Sequence, residues 1–464
     1  MSSELFPSTR ITRFFTLTYL FLLLSYQSTE AQSHIDTMTI SRTPISPTEF
    51  LIGGIQVNEP DHTSWVQSLD SAGLNTVSVT VYAHQGDWNS DNLWFDLDNP
   101  AVISEIRAAK HKGLRVVLIL RLALDHSFKN NTFLWHGMIL PKTELELDSW
   151  FRKYREFVVN WSRIAETERV DVLGIASELN SMTSTLPLTT TPSLISFYLD
   201  DKQQNSRQEV LLRDSARLGE NALMARGKGN YQSLPSYLTA EQTAQRNWAL
   251  EILGTANESD ISQLNNRRAS LNKHWKQLIA ETRNIFKGKL TYAANFDQYQ
   301  EVGFWSDLDY LGINAYFPLR PSKIEVGMLN EELIRGWKQI LSDIDRYRKQ
   351  NKVEDKPVIF TELGYTFRKN STVAPWASDG FSIVGTAENQ SLHIWKDEPL
   401  DYSERVLALR ALRRNLEFFP GLVQGLLYWK LSTLESHIAI EPFVHVITNK
   451  DDEEFSKELS LFKR

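Results

Sequence analysis

Residues 356–365, Lys356-Pro357-Val358-Ile359-Phe360-Thr361-Glu362-Leu363-Gly364-Tyr365, read as a short apolar strand that ends on a carboxylate. A β-branched run bounded by Pro and Gly suits a parallel strand covered on both faces, because a strand wet on one side would alternate apolar with polar residues. Val170-Asp171-Val172-Leu173-Gly174-Ile175-Ala176-Ser177-Glu178 has the same form. In a parallel β/α barrel, catalytic residues are drawn from the rim formed by the C-terminal ends of the strands. Glu178 and Glu362 are therefore the first candidates for chemistry. One strand-end glutamate is often only a solvated loop charge, but two on one rim point to the carboxylate pair that cleaves glycosidic bonds.

Outward from these two runs the chain repeats a unit in which an amphipathic stretch closes on a turn residue and a short apolar strand follows. Ser71-Ala72-Gly73-Leu74-Asn75 leads into Thr76–Tyr82, and His111-Lys112-Gly113-Leu114 into Arg115–Leu120. Gly73 and Gly113 read as helix C-caps, where only Gly takes the left-handed conformation cheaply. Further candidate strands are Leu51–Val57, Val170–Ser177, Leu290–Ala294, Leu308–Asn314, Val358–Glu362 and Val423–Trp429, eight in all. Eight strands with helical patterns between them predict an α/β fold, a (β/α)8 TIM barrel over residues 45–449. The spacing breaks once, between Glu178 and the helical pattern Leu271–Phe286. The excess sequence, residues 183–269, starts Thr/Pro/Ser-rich and continues polar and helix-favouring. A segment that long, leaving the rim beside a candidate catalytic strand, predicts a mostly helical lid or wall along the cleft.

The bulk properties narrow the function. In 464 residues with 42% hydrophobic content there is ample core, and the net charge of -7 with scattered basic residues argues against a nucleic-acid partner. Cysteine is absent, which excludes disulfides, thiolate metal sites and a cysteine nucleophile. No Gly-rich phosphate loop, His-Glu-x-x-His pair, Gly-x-Ser-x-Gly elbow or calcium loop is present, so neither cofactor nor metal is expected. Residues 1–31 read as a secretory signal peptide: Arg10 and Arg13 precede the apolar run Phe14–Leu24, and Thr29-Glu30-Ala31 offers a cleavage site. This predicts a secreted or periplasmic protein, with an uncleaved anchor as the alternative. The charged run Lys450–Glu458 reads as a solvated face within a tail, 450–464.

Retaining hydrolysis needs one carboxylate to attack the anomeric carbon and a second, protonated, to donate to the leaving oxygen, the two about 5–5.5 Å apart. Strands four and seven of a barrel can approach that separation. Glu178 is then the acid/base and Glu362 the nucleophile, kept ionised by donors such as Tyr316 or Arg121. Asn295, Asn314 and Tyr316 reach the rim, where hydrogen bonds to sugar hydroxyls are their expected use. Trp429 ends the eighth strand as a candidate floor for the sugar, and Trp135 with His136 could form a further platform. His84 and Asp125 also lie just beyond strands.

Leu290–Asn295, Tyr310–Leu319 and Lys356–Tyr365 resemble glycoside hydrolase family 113, as do Trp135-His136-Gly137 and Gly174–Leu179 in order and spacing. The resemblance covers about residues 48–182 and 270–448. It implies a retaining β-mannanase-like barrel with Glu362 as nucleophile and Glu178 as acid/base, with Asn295, Tyr316 and Trp429 in the sugar-binding cleft. It departs at two places: many related barrels have Asn before the acid/base where this chain has Ser177, and the long insertion is foreign to the family pattern. The expected activity is cleavage of β-1,4-mannosidic linkages in mannan or manno-oligosaccharides. The same mechanism on another β-linked glycan, or a non-catalytic carbohydrate-binding barrel, are the alternatives.

Overall fold

The computed structural model describes residues 42–95, 99–187, 193–215, 234–254, 261–376, 381–384, 391–394 and 399–463. The expected leader, residues 1–31, lies outside them. Eight parallel strands close on themselves: β1 Leu51–Gln56, β2 Thr76–Gln85, β3 Arg115–Leu124, β4 Val172–Ser177, β5 Lys289–Asn295, β6 Leu311–Asn314, β7 Val358–Leu363 and β8 Val423–Ser432. Each pairs with its successor, and β1 pairs with both β2 and β8, so the sheet is the expected (β/α)8 barrel. Helices α1 His62–Ser71, α2 Pro100–His111 and α3 Glu144–Thr167 follow the first three strands. Start signals are local: Asp61 caps α1 through the amides of Thr63 and Ser64, and Thr143 with Glu146 forms a capping box on α3.

After β4 come the short α4 Asn180–Thr183, then α5 Ser193–Leu199, α6 Asp201–Ser215, α7 Leu234–Gly254 and the long α8 Ile261–Ile285. The described part of the insertion is therefore helical. Its Trp248 donates to the Met138 carbonyl (2.9 Å) and its Gln245 to that of Phe133 (3.2 Å), which seats it on the segment following β3. Between β5 and β6 stand two 3-10 turns, Tyr299–Glu301 and Trp305–Asp307, instead of a helix. Trp275 of α8 stacks on Phe304 there at 5.5 Å. The circuit is completed by α9 Leu329–Gln350, α10 Ser403–Leu416 and α11 Glu453–Ser460.

The last of these corrects an expectation. The charged run Lys450–Glu458 belongs not to a solvated tail but to a docked helix, because Phe455, Leu459 and Phe462 recur at helical spacing and all three are buried. Beneath it, Asp452 accepts from Arg405 and lies 2.7 Å from His445 Nδ1.

Residue parity along the strands separates two cores. Leu51, Val117, Ile119, Val172, Ala293, Ile359 and Leu427 fill the barrel, while Val77, Val79, Val116, Leu118, Trp150 and Trp337 pack between sheet and helices. Each fully buried side chain of this kind stabilises the fold by roughly 1.5–3 kcal/mol. Gly312 shows how closely the strands approach, since a Cβ there would lie 2.3 Å from the Tyr292 carbonyl oxygen. Because Val117 and Ile119 point inward, so does Arg121 two residues on, now at the mouth.

Candidate active site

Glu178 follows β4 and Glu362 lies near the end of β7, and both are turned into the mouth. Glu178 takes a left-handed φ of 52°, an uncommon conformation for a residue with a Cβ, while its amide donates to the Ala293 carbonyl at 2.9 Å. This bend, anchored to β5, is the kind of local strain that persists where surrounding structure over-determines it. The side chains of Glu178 and Glu362 are 14% and 7% exposed.

Arg121 joins them. Its Nη2 contacts Glu362 Oε1 in a short ion pair and lies 3.4 Å from Glu178 Oε2, while its Nε donates to Ser177 Oγ at 3.2 Å. Ser177, which stands where related barrels carry Asn, thus serves as an acceptor for this guanidinium. Tyr316 donates to the other oxygen of Glu362 at 2.7 Å. Asn314 Nδ2 donates to Glu178 Oε1 at 2.9 Å, and His136 Nε2 lies 3.1 Å from Glu178 Oε2. Thr361 orients the amide by donating to Asn314 Oδ1 at 2.8 Å, which leaves the NH2 facing the carboxylate.

Burial pushes Glu362 up to about 7, helped by the charge of Glu178 and opposed by Arg121 and Tyr316. Glu178 is buried as well, but the hydrogen bond from His136, the charge of Arg121 and the hydrogen bond from Asn314 bring it down to about 2. Two carboxylates on one cation titrate as a unit, so between these values the pair holds a single proton. Burial opposes the charge of Arg121, but Glu362 and Glu178 together raise its pKa and keep it a cation. Burial, then the neighbouring Glu362 charge, raises the Tyr316 phenol well above its usual value, so it remains a donor.

Of the residues expected in the site, Glu178, Glu362, Arg121, His136, Asn314 and Tyr316 form one hydrogen-bonded cluster. Trp429 joins it through its ring, 5.3 Å from the Arg121 guanidinium carbon. Asn314 does not wait at the rim for a sugar hydroxyl; it is fully buried and bonded to Glu178 and Thr361. Asn295 donates to Asn180 Oδ1 (3.1 Å), one layer away from the carboxylates. Trp135 stands edge-on to His136 at 5.3 Å, and its indole N–H points to Tyr198 of the insertion at 3.3 Å. Asp125 accepts from the Ser127 amide and caps its own turn.

Sequence reading missed Lys430 and Glu441. Lys430 Nζ lies 4.3 Å from the Trp429 ring centroid, and burial raises the pKa of Glu441, a rise that Lys430 and Trp429 beside it oppose. Adjacency to Trp429 was the available signal for Lys430, whereas Glu441 had none. No group of three or more His, Cys, Asp or Glu side chains suited to a metal occurs among the described residues. A surface cavity of about 500 Å3 is lined by Asp148, Arg155, His274 and Glu281 of the outer helices, none of them at a strand end.

A closed parallel barrel that presents two buried carboxylates side by side at its C-terminal mouth, beside a tryptophan, has the architecture of a glycoside hydrolase. The sequence pattern describing Glycoside Hydrolase Family 113 matches residues 56–186 and 259–401, and interrupts where the insertion lies. The chain belongs to this family and is a glycoside hydrolase. Among solved structures, a GH113 β-1,4-mannanase is 16% identical with a TM-score of 0.54, covering 89% of this chain and 99% of that one. The GH113 β-mannanase AaManA from Alicyclobacillus acidocaldarius, in complex with ManMIm, is 13% identical with a TM-score of 0.53, covering 89% and 98%. At such identities the likeness is one of fold. A comparison with curated proteins gives no match.

Proposed function

We propose that the chain is a secreted retaining β-glycosidase that cleaves β-1,4-mannosidic linkages in mannan or manno-oligosaccharides by double displacement. The observation that carries the mechanism is Arg121. One guanidinium nitrogen touching an oxygen of each carboxylate holds the two glutamates side by side, which supports the closer spacing of a retaining pair. Membership of family 113 and the β-1,4-mannanase names of its solved relatives support the substrate. The leader-like residues 1–31 support secretion.

In the first step an oxygen of Glu362 bonds to the anomeric carbon as the bond to the leaving oxygen breaks, and Glu178 gives that oxygen its proton. In the second, Glu178 takes a proton from water, whose oxygen displaces Glu362. The chemistry needs the proton of the pair on Glu178. Sugar binding favours that placement. It excludes water from Glu178, which makes the charged form costlier, while positive charge developing at the anomeric carbon favours ionised Glu362. His136 accommodates either state: with its proton on Nε2 it donates to ionised Glu178, and with that nitrogen bare it accepts from the protonated acid.

Reducing-sugar release across mannan and other β-linked glycans tests the substrate, and inactivity on every mannan overturns it. A fluorinated mechanism-based glycoside should label Glu362, and Glu362→Ala should lose several orders of magnitude in turnover. An inverted anomeric product would overturn the double displacement. A non-catalytic barrel predicts that Glu362→Ala changes nothing.

A further inference from the structure

The strands β2 and β3 run past the rim. Their register pairs Tyr82 with Arg121 and His84 with Ala123. Directly paired residues share a face, so Tyr82 and His84 stand on the barrel-interior side with Arg121 and face the cleft mouth. The other side is occupied: Val81 and Ala83 belong to the outer core, and Gln85 accepts from Trp150 Nε1 at 2.9 Å. Beyond Gln85 the chain folds back as the two-residue strand Leu93–Trp94, antiparallel to β2, with Trp94 opposite His84. The rings of His84 and Trp94 stack at 5.8 Å with only 16° between their planes, and Phe128 flanks Trp94 at 6.3 Å.

Tyr82 and Trp94 are 45% and 40% exposed, although each sits on a paired strand whose opposite face is buried. Flat aromatic groups held rigidly and left wet suit a ligand with an apolar face, and pyranose rings of a β-linked chain present such faces. Along the strand Tyr82 and His84 are roughly 7 Å apart, on the scale of one sugar unit. The row begins next to Arg121, which touches both carboxylates, so it continues the catalytic cleft.

We infer that Tyr82, His84 and Trp94 form a sugar-binding wall that holds glycosyl units of a β-1,4-linked mannan chain beyond those flanking the scissile bond. The inference rests on the mannanase reading proposed above. Substrate length is then sensed on β2 and the short strand folded back on it.

The test compares kcat/KM for manno-oligosaccharides of two to six units in the wild type, Trp94→Ala, Tyr82→Ala and Trp94→Phe, with melting curves confirming that each is folded. The ratio of kcat/KM for the longest to the shortest substrate should fall about tenfold on loss of a ring, the usual effect of truncating an interface aromatic. Trp94→Phe should restore most of it. An unchanged ratio overturns the wall, as does an equal loss at every length. If the loss instead tracks a change in oligomeric state by sedimentation, the face is a self-association surface and the wall is overturned. A wild type inactive on every length overturns the mannan reading and this inference with it.

Discussion

Neutralising each glutamate in turn should change stability in opposite directions. The pKa of Glu362 is raised from 4.5 to about 7, so folding tightens its hold on the proton. Its stabilising contribution is fully present below 4.5 and is lost as pH rises toward 7. At pH 8 the ionised carboxylate costs the folded state about 3 kcal/mol, at about 1.4 kcal/mol per unit, with the attraction of Arg121 already included. Glu362→Gln is neutral at every pH and close to the protonated acid in shape. It should therefore be more stable than the wild type by about 3 kcal/mol at pH 8 and nearly equal to it at pH 4. Glu178 is depressed from 4.5 to about 2, so its charge stabilises the fold above 4.5 and that contribution is lost as pH falls toward 2. Glu178→Gln should accordingly lose about 3 kcal/mol at pH 8. Urea denaturation of the three proteins at pH 4 and pH 8 measures both. If Glu178→Gln stabilises and Glu362→Gln destabilises at pH 8, the opposite directions of the two shifts are wrong.

The pH profile of kcat/KM reports the free enzyme, and activity requires one proton on the pair; it should fall as pH rises through about 7, and a profile still rising above pH 8 would refute this. Tyr198→Phe removes the hydroxyl that meets the Trp135 indole N–H and so loosens the packing behind His136; a few-fold drop in kcat with a shifted pH profile is expected, whereas an unchanged profile would show that the insertion does not position Glu178. Phe455→Ala should destabilise by about 3–5 kcal/mol in denaturant titration, because its fully buried ring packs on Tyr428 at 4.7 Å and His445 at 4.5 Å. A cost under about 1 kcal/mol would mean that α11 is not part of the cooperative core.

Much of the barrel was legible because its signals are local. A strand buried on both faces is a continuous apolar run, which marked Val358–Glu362 and Val170–Ser177, and Gly73 and Gly113 do take positive φ where helices α1 and α2 end. Helix α11 was missed although Phe455, Leu459 and Phe462 keep helical spacing, since charge dominates the run and only the docked partners show its apolar stripe. The missing helix between β5 and β6 was likewise hidden, because α8, the helix that leads into β5, folds back over that flank.

By itself the sequence determined the period of each element, and with it the order of the strands and the two glutamates at their ends, since period depends on near neighbours along the chain. Which donors serve which carboxylate was decided only by tertiary structure. Asn314 was expected to bind sugar, but the register of β6 against β7 sets it opposite Glu362 and within reach of Glu178. Arg121 and Glu362 are 241 residues apart, and their ion pair exists only because the barrel closes. The row of Tyr82 with Arg121 follows from the pairing of β2 with β3 in the same way. Closure and register are global properties of the sheet, fixed by how eight apolar strands bury one another, and they turn two strand-end glutamates into a site with one proton between them.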